Sequence, residues 1–205
     1  MIKNKTIAVV VPCYNESSQI SMVIESMPSF VDRIIIVDDN STDNTIEIAT
    51  QYLVSQEHNK NSIEIKKNII DESKYNKADI LVQQNDDKEI KYFINSKIFN
   101  NSVENDRIII IKNEKNGGVG SAIARGYKWS KDYGIDCTAV MAGDGQMDPH
   151  ELKSICMGVV KNKVDYVKGN RLKHPSARFL MPKRRFIGNS ILSILTKIAS
   201  GYWRI

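Results

Sequence analysis

Three short runs of mostly apolar, β-branched residues, each ending in a polar cluster, constrain the fold of this chain more than any other feature. The runs are Ile7–Val11, Arg33–Val37 and Thr138–Met141, and the clusters follow at 12–16, 38–43 and 142–148. Continuous apolar strands separated by helical segments are typical of a parallel sheet that is covered on both faces. Ligands bind at the carboxyl ends of such strands. The sequence therefore predicts an α/β domain with its binding site at one edge of the sheet.

The remaining elements follow from periodicity and from stop signals. Pro12 is expected to end the first strand, and Ser17 or Ser18 to cap the first helix, which ends near Met27-Pro28. Further strands are predicted at Arg107–Lys112 and Tyr166–Lys168, and helices at 43–56, 121–133 and 183–199.

One stretch, from about residue 55 to residue 106, differs in character from the rest. It is rich in Asn, Lys, Asp and Glu and contains no Gly or Pro. We interpret it as an insertion into a single domain that spans 1–205. A mobile excursion, a small helical and hairpin flap and a plain surface loop all remain open for it.

The net charge and the cysteine content indicate which classes of partner and which cellular compartment to expect. The net charge is +5, but the basic residues form no obvious single face, so we expect no nucleic-acid partner. The basic run at 183–185 precedes an apolar stripe of helical spacing, which favours a membrane surface over a merely solvated cluster. Cys13, Cys137 and Cys156 show no CxxC spacing and are predicted to be buried, reduced thiols of a cytosolic protein.

No secretory leader and no run of about 18 apolar residues is visible, so a peripheral location at the cytoplasmic face of the membrane is expected.

The polar clusters occur in an order that resembles a known family. Pro-x-Tyr-Asn-Glu, Val-Asp-Asp-x-Ser-x-Asp-x-Thr, Asn-x-Gly, an acid-containing turn and Gly-Asn-Arg follow one another after successive strands. This order resembles the inverting glycosyltransferases of family 2, and among them the polyprenyl-phosphate sugar transferases. The resemblance covers 7–56 and 107–204. It implies a GT-A fold, a UDP- or GDP-sugar donor, a lipid-phosphate acceptor, and Mg²⁺ or Mn²⁺ as cofactor. In relatives a further acid-containing motif and often membrane helices follow, so we expect this chain to be truncated at its C-terminus.

The resemblance places the donor-binding residues in the first four clusters and in the helix that follows the third. Tyr14 offers a flat face for a base or ribose, while Asn15 and Glu16 offer an amide and an acceptor. Glu16 is alternatively a helix-start acid favoured by the helix dipole. Asp39 matches the acid that accepts a ring N–H of the base, whereas Asp38 is expected to bond to neighbouring backbone. The donor set is Pro12, Tyr14, Asn15, Glu16, Asp39, Gly117, Arg125 and Asp144, with Ser41, Asp43 and Thr45 as turn and cap residues.

The glycine turn at 116–120 resembles a phosphate cradle, because backbone N–H groups and a helix N-terminus can approach an anion there. No Lys and Ser/Thr pair follows it, so it is not a P-loop. Arg125 lies one turn further on, where it either reaches the diphosphate or lies on the surface.

The acid-containing turn departs from the family pattern. The usual first acid is replaced by Ala142, which leaves Asp144 as the catalytic and metal-binding carboxylate, assisted by the Gln146 carbonyl. Oxygen donors suit a hard cation that also binds substrate phosphates. Asp148 is a further candidate ligand, but the following Pro149 favours a helix-capping role for it.

The last cluster is predicted to handle phosphate charge. Asn170 and Arg171 resemble the family's Gly-Ser/Asn-Arg element, in which Arg171 is also a catalytic candidate beside Asp144. Arg184 is expected to bind a lipid phosphate. The function predicted is transfer of a sugar from a nucleotide-diphosphate-sugar to a polyprenyl phosphate. The alternatives are a transferase with a glycan hydroxyl as acceptor, and a nucleotide-sugar-binding module whose catalysis has lapsed.

Overall fold

A five-stranded mixed sheet forms the centre of the protein. The computed structural model describes residues 1–54, 63–67, 76–169 and 182–201, and of 185 and 186 the backbone alone. The strand order is β3-β4-β2-β1-β5, in which only the edge strand β3 runs antiparallel to its neighbour. The strands are β1 (Ile7–Cys13), β2 (Arg33–Asp38), β3 (Ser96–Ile98), β4 (Ile108–Asn113) and β5 (Cys137–Val140).

Helices cover both faces of this sheet, as the apolar strands predict. The α-helices that the structure describes are α1 (Ile20–Glu25), α2 (Thr45–Val54), α3 (Lys77–Glu89), α4 (Val119–Asp132), α5 (Leu152–Val160) and α6 (Lys183–Ser200). Of these, α1, α2 and α5 pack on one face of the sheet and α4 packs on the other. Alternate residues of β1 point to opposite faces, so Val9 packs with α1, α2 and α5, while Val10 packs with α4. All three cysteines are buried, as predicted.

Helix α4 lies unusually close to the central strand β1. A Cβ atom added to Gly126 would lie 2.3 Å from Cγ1 and 2.6 Å from Cγ2 of Val10. The helix can approach this closely because the glycine has no side chain. A Cβ atom added to Gly120, near the start of the same helix, would have no other atom within 4 Å.

Three local predictions are wrong. β1 continues through Pro12 to Cys13, because its partner strand pairs with Pro12 and a missing N–H does not prevent that pairing. Helix α1 begins only at Ile20, and its N-cap residue Gln19 makes no side-chain capping bond. Tyr166–Lys168 has no regular secondary structure.

The stretch predicted as an insertion supplies α3 and β3, and β3 pairs with β4 as a hairpin. A buried guanidinium ties part of this stretch to the sheet. Arg33 donates to the carbonyl oxygens of Ile63, at 2.9 Å, and of Glu104, at 2.6 Å. Burial lowers the pKa of Arg33 to about 10 despite the nearby charge of Asp32.

The chain divides into two compact units, 1–165 and 166–205. The described part of the second unit contains α6, whose apolar residues are exposed: Ile187, Ile191, Leu192, Ile194, Leu195 and Ile198. Among the helices that the structure describes, none has the length and hydropathy needed to span a bilayer.

Candidate active site

The loops that follow β1, β2 and β5 meet at one edge of the sheet. The N–H of Asp39 donates to the carbonyl of Cys13 at 2.9 Å, and the N–H of Gly143 donates to the carbonyl of Pro12 at 3.2 Å. A Cβ added to Gly143 would lie 3.0 Å from Cβ of Cys13 and 3.2 Å from that same carbonyl oxygen, so the close approach favours glycine. The predicted edge therefore brings the first, second and fourth polar clusters together.

The first two clusters are joined by side-chain to backbone hydrogen bonds. Asn15, at a positive φ of 57°, donates its N–H to Ser41 Oγ at 2.9 Å and accepts the Thr42 N–H at 2.8 Å through Oδ1. The Glu16 N–H donates to Thr45 Oγ1 at 2.9 Å. The Asn15 amide oxygen thus supports the loop itself, while Tyr14 beside it is 46% exposed and accessible to a flat ligand.

Asp43 caps α2, as predicted for a turn and cap residue. It accepts the N–H of Thr45 at 3.0 Å and the N–H of Ser17 at 3.1 Å. Burial alone would raise the pKa of Asp43, but these hydrogen bonds outweigh it and hold the pKa at about 2. Its carboxylate is therefore occupied by the turn.

The two aspartates at the end of β2 have different partners. Asp38 accepts both the N–H and the hydroxyl of Ser41, as predicted, and burial raises its pKa. Asp39, 2% exposed, accepts from Asn113 Nδ2 at 2.8 Å, from Gly117 N at 3.0 Å and from Gly118 N at 2.6 Å. The acid predicted to read the base therefore already receives three N–H donors.

The glycine turn is shaped by close packing and by its backbone conformation. Gly118 precedes α4 with a φ of 81°, a conformation that favours glycine. A Cβ on Gly117 would lie 2.1 Å from Cδ1 of Ile94. Both glycines are exposed, so their backbone is within reach of a ligand at the sheet edge.

Arg125 is half-buried against the segment between α3 and β3. Its guanidinium donates to the carbonyl of Ile94 and lies 5.0 Å above the ring of Phe93. Burial lowers the pKa of Arg125. Neither alternative from the sequence foresaw this contact, and a role toward the diphosphate stays a prediction.

Asp144 and Glu16 place negative charges near each other at the same edge. Burial and the charges of Asp144 and Asp43 raise the pKa of Glu16. Asp144 accepts the Gln146 N–H at 3.0 Å through Oδ1. Crowded carboxylates with oxygen donors suit Mg²⁺ or Mn²⁺, which bind through one or two carboxylates together with substrate phosphates and water. The residues present therefore fit a divalent cation.

This fit depends on ligands from the substrate. Within the described ranges, no three His, Cys, Asp or Glu side chains are arranged to hold a metal ion by themselves. At the position of the missing acid, Ala142 lines an open hollow of about 110 Å³ together with Met22, Met141 and Met147. Among the described residues that line this hollow there is no acid that could replace the missing one, and most of them are apolar.

Asp148 is a cap, as the sequence predicts. Its carboxylate accepts the N–H of His150 at 2.9 Å, and Pro149 occupies the first position of the short 3₁₀ helix that leads into α5. The backbone bond from His150 lowers the pKa of Asp148.

The predicted phosphate-handling residues are described only in part. Asn170 and Arg171 lie outside the described residues. Arg184 is exposed in the first turn of α6.

Two features of this edge were missed by sequence reasoning. Asn113 ends β4, is 1% exposed and bonds to Asp39, yet a single Asn after an isoleucine run carries no signal of its own. The contact of Phe93 and Ile94 with α4 joins residues 31 positions apart, which periodicity does not reveal.

Comparison with known proteins identifies the family. The family described as "Glycosyl transferase family 2" matches residues 8–69 and 61–204. The chain belongs to glycosyl transferase family 2. Members of this family typically use a divalent metal ion, in agreement with the donor set around Asp144.

One relative extends this result. The chain is 30% identical over 202 residues to the UDP-N-acetylglucosamine--dolichyl-phosphate N-acetylglucosaminyltransferase of Methanococcus voltae. The aligned region covers 98% of this chain. The chain spans 65% of the length of that family 2 relative.

Proposed function

We propose that this chain carries out the transfer of a sugar from a nucleotide-diphosphate-sugar to a polyprenyl phosphate at the cytoplasmic face of a membrane. The observation that carries the proposal is the match along 98% of the chain to a transferase whose name gives dolichyl phosphate as acceptor. The meeting of the polar clusters at one sheet edge supports it, because ligands of open α/β sheets bind there.

Chemistry also favours a phosphate acceptor over a hydroxyl. A phosphate monoester is anionic near neutral pH, since its second pKa is about 6, and it needs no general base. The acceptor oxygen attacks the anomeric carbon and forms a new C–O bond. The bond from that carbon to the donor diphosphate breaks on the opposite face and its electron pair leaves with the diphosphate, which inverts the anomeric configuration.

The residues at this edge of the sheet are proposed to contact different parts of the two substrates. Tyr14 and Asp39 are proposed to lie at the nucleoside end of the donor. The N–H groups of Gly117 and Gly118 already donate to Asp39, so the exposed start of α4 at Val119 and Gly120 is proposed to lie beside the diphosphate. Asp144, with the Gln146 carbonyl, would hold a divalent cation, which when bound neutralises charge on the leaving diphosphate. Arg171 and Asn170 are proposed to meet the acceptor phosphate.

Helix α6 is proposed to bring the domain to the membrane surface. Arg184 and Lys183 begin the helix, and its apolar stripe is exposed. Such a helix suits an anionic interface, where the basic residues lie near lipid headgroups and the stripe enters the acyl boundary.

The test is sugar transfer into vesicles that contain a polyprenyl phosphate, from a panel of radiolabelled UDP- and GDP-sugars with Mn²⁺. We expect label in the lipid fraction only when the lipid carries its phosphate. Label transfer to glycan hydroxyls but not to lipid phosphate would overturn the acceptor assignment.

Ala142 favours one second candidate, a nucleotide-sugar-binding module with lapsed catalysis, because it removes an acid from the metal-binding turn. Slow metal-dependent hydrolysis of the donor would exclude that candidate. Donor binding with neither hydrolysis nor transfer would support it.

A further inference from the structure

A short connecting segment between α3 and β3, residues 93–95, touches the glycine turn of the candidate site. A Cβ atom added to Gly117 would lie 2.1 Å from Cδ1 of Ile94, so this methyl group packs directly on the glycine. Any side chain at residue 117 would displace it, and glycine allows the contact. The stretch predicted as an insertion therefore reaches the edge of the sheet where the polar clusters meet.

Main-chain pairing places this segment beside the residues that lead into the glycine turn. Ser96 is paired with Asn113 where β3 lies against β4. Just beyond that pair, the N–H of Glu114 donates to the carbonyl of Asn95 at 2.8 Å. The antiparallel register thus brings residues 93–95 next to residues 114–117, although the two stretches are distant in the sequence.

Arg125 of α4 holds the same segment from the other side. Its Nη2 atom donates to the carbonyl of Ile94, and its Cζ atom lies 5.0 Å from the centre of the Phe93 ring. A cation above an aromatic face adds attraction to the hydrogen bond. The Nε atom of Arg125 is shielded from solvent, so this part of the guanidinium faces the protein. Its observed contacts therefore bind the segment to α4.

The contact of Ile94 belongs to the glycine turn and not to the core. Among the described residues, Ile94 is not part of either hydrophobic cluster that covers a face of the sheet, and it is only half-buried. The turn below it has a defined task, because the N–H groups of Gly117 and Gly118 donate to Asp39 at 3.0 and 2.6 Å. Two exposed, neighbouring glycines have no side chains to fix such a turn, so contacts from outside must do so.

We infer that Ile94 and Arg125 are positioning residues for the donor. Arg125 holds the segment 93–95, Ile94 covers Gly117, and together they fix the glycine turn and the start of α4 in the conformation that binds the donor. The inference rests on the proposed function and deepens it in two ways. It gives the inserted stretch a part in donor affinity, and it gives Arg125 a role that needs no contact with the diphosphate.

Calorimetry with UDP and GDP in the presence of Mn²⁺ measures donor affinity directly. Ile94→Ala removes the side chain that covers Gly117. It should weaken the nucleotide that wild type prefers by about fivefold or more, since small displacements of a binding group have large effects. Ile94→Leu restores a terminal methyl group and should recover most of the lost affinity.

Ile98→Ala is the matched control for this substitution. Ile98 lies in β3, is 41% exposed and pairs with Ile111, which lies further from the glycine turn than Asn113 does. The same loss of side chain at this position should leave nucleotide affinity within about twofold of wild type, because the change does not uncover Gly117.

Steady-state transfer to a polyprenyl phosphate separates positioning from a general loss of structure. In Ile94→Ala the KM for the nucleotide-sugar should rise by about the same factor as the dissociation constant, while kcat and the KM for the lipid phosphate stay close to wild type. A variant that is merely less folded would instead lower the apparent kcat and leave both KM values unchanged.

A double-mutant cycle tests the path from Arg125 to Gly117. Arg125→Ala should weaken the nucleotide, and the variant that also carries Ile94→Ala should bind no more weakly than Ile94→Ala alone. This is expected because the guanidinium acts through a side chain that is already missing. Effects that multiply would show that Arg125 acts on the donor independently and would overturn its positioning role.

The outcomes separate the inference from the proposed function. If wild type binds neither nucleotide, both are refuted. If wild type binds one of them and Ile94→Ala binds it as tightly as Ile98→Ala does, only the inference is overturned. Melting temperatures measured in parallel identify a variant that fails to fold. Ile94→Val, which lacks only the Cδ1 methyl group, then replaces Ile94→Ala beside Ile98→Val; weaker binding by Ile94→Val is expected, and equal binding by the two refutes the inference.

Discussion

The contact between α4 and β1 predicts opposite effects for the same substitution at two positions of one helix. Gly126→Ala would place a methyl group 2.3 and 2.6 Å from the two γ carbons of Val10. Val10 is fully buried in a central strand, so other core residues surround its side chain. Overpacking of this kind costs about 1–3 kcal/mol. The lower entropy of the unfolded alanine chain offsets about 0.4–1 kcal/mol of that cost.

Gly120→Ala is the matched control because an added Cβ there meets nothing within 4 Å. The entropic gain of about 0.4–1 kcal/mol should then appear alone. For a chain of this size, 1 kcal/mol corresponds to about 2–4 °C in Tm. We expect Gly126→Ala to lower the Tm by several degrees and Gly120→Ala to raise it slightly.

Thermal unfolding followed by circular dichroism measures both variants against wild type. Equal Tm values for the two variants, or a higher Tm for Gly126→Ala, would refute the close packing of α4 on β1. Because α4 begins at the glycine turn, a shifted helix in Gly126→Ala should also weaken nucleotide binding.

The other predictions concern metal, acid and membrane. Asp144→Ala should abolish the Mn²⁺-dependent part of nucleotide-sugar binding, measured by calorimetry, and leave the Tm unchanged. Asp148→Ala should instead lower the Tm and keep the metal dependence. The reverse pattern would show that Asp148 binds the metal and that Asp144 stabilises the fold. The pKa of Asp43 is about 2 in the folded chain, below the ordinary value of about 3.9, so its contribution to stability is present above pH 4 and lost as the pH falls through about 2. Asp43→Asn should therefore flatten acid unfolding between those values, and an unaltered acid transition would contradict this account. Neutralising the basic residues 183–185 should remove about 1 kcal/mol of membrane affinity for each charge, an effect that added salt should mimic. Equal co-sedimentation of wild type and triple variant with anionic vesicles would reject the membrane role of α6.

The strands and most helices were predictable because their signals are local. β-branched runs such as Arg33–Val37 favour a strand through their own side chains, and the Asp148-Pro149 pair favours a helix start. The prediction that Pro12 ends the first strand was wrong because that rule is statistical. The pairing of β1 with β2 continues past Pro12 to Cys13.

The site was predictable only as far as its residue types. Acids and amides at strand ends marked the correct edge, but their bonds depend on contacts between distant parts of the chain. Asp39 and Gly118 are 79 positions apart, and no local pattern indicates that the acid is bonded by that turn. For the same reason the partner of Arg125 and the bond from Asn113 to Asp39 became visible only in the folded chain.

The burial of the cysteines makes the chain suited to site-specific labelling. Cys13, Cys137 and Cys156 are each at most 5% exposed, and burial raises the pKa of Cys13 well above its ordinary value. Because a buried thiol is out of reach of the reagent, maleimides should leave the native chain nearly unmodified. A single cysteine introduced at an exposed position of α6, such as Ile191→Cys, would then carry a spin label or fluorophore alone, and its accessibility to lipid-soluble quenchers would report the depth of that helix in a bilayer.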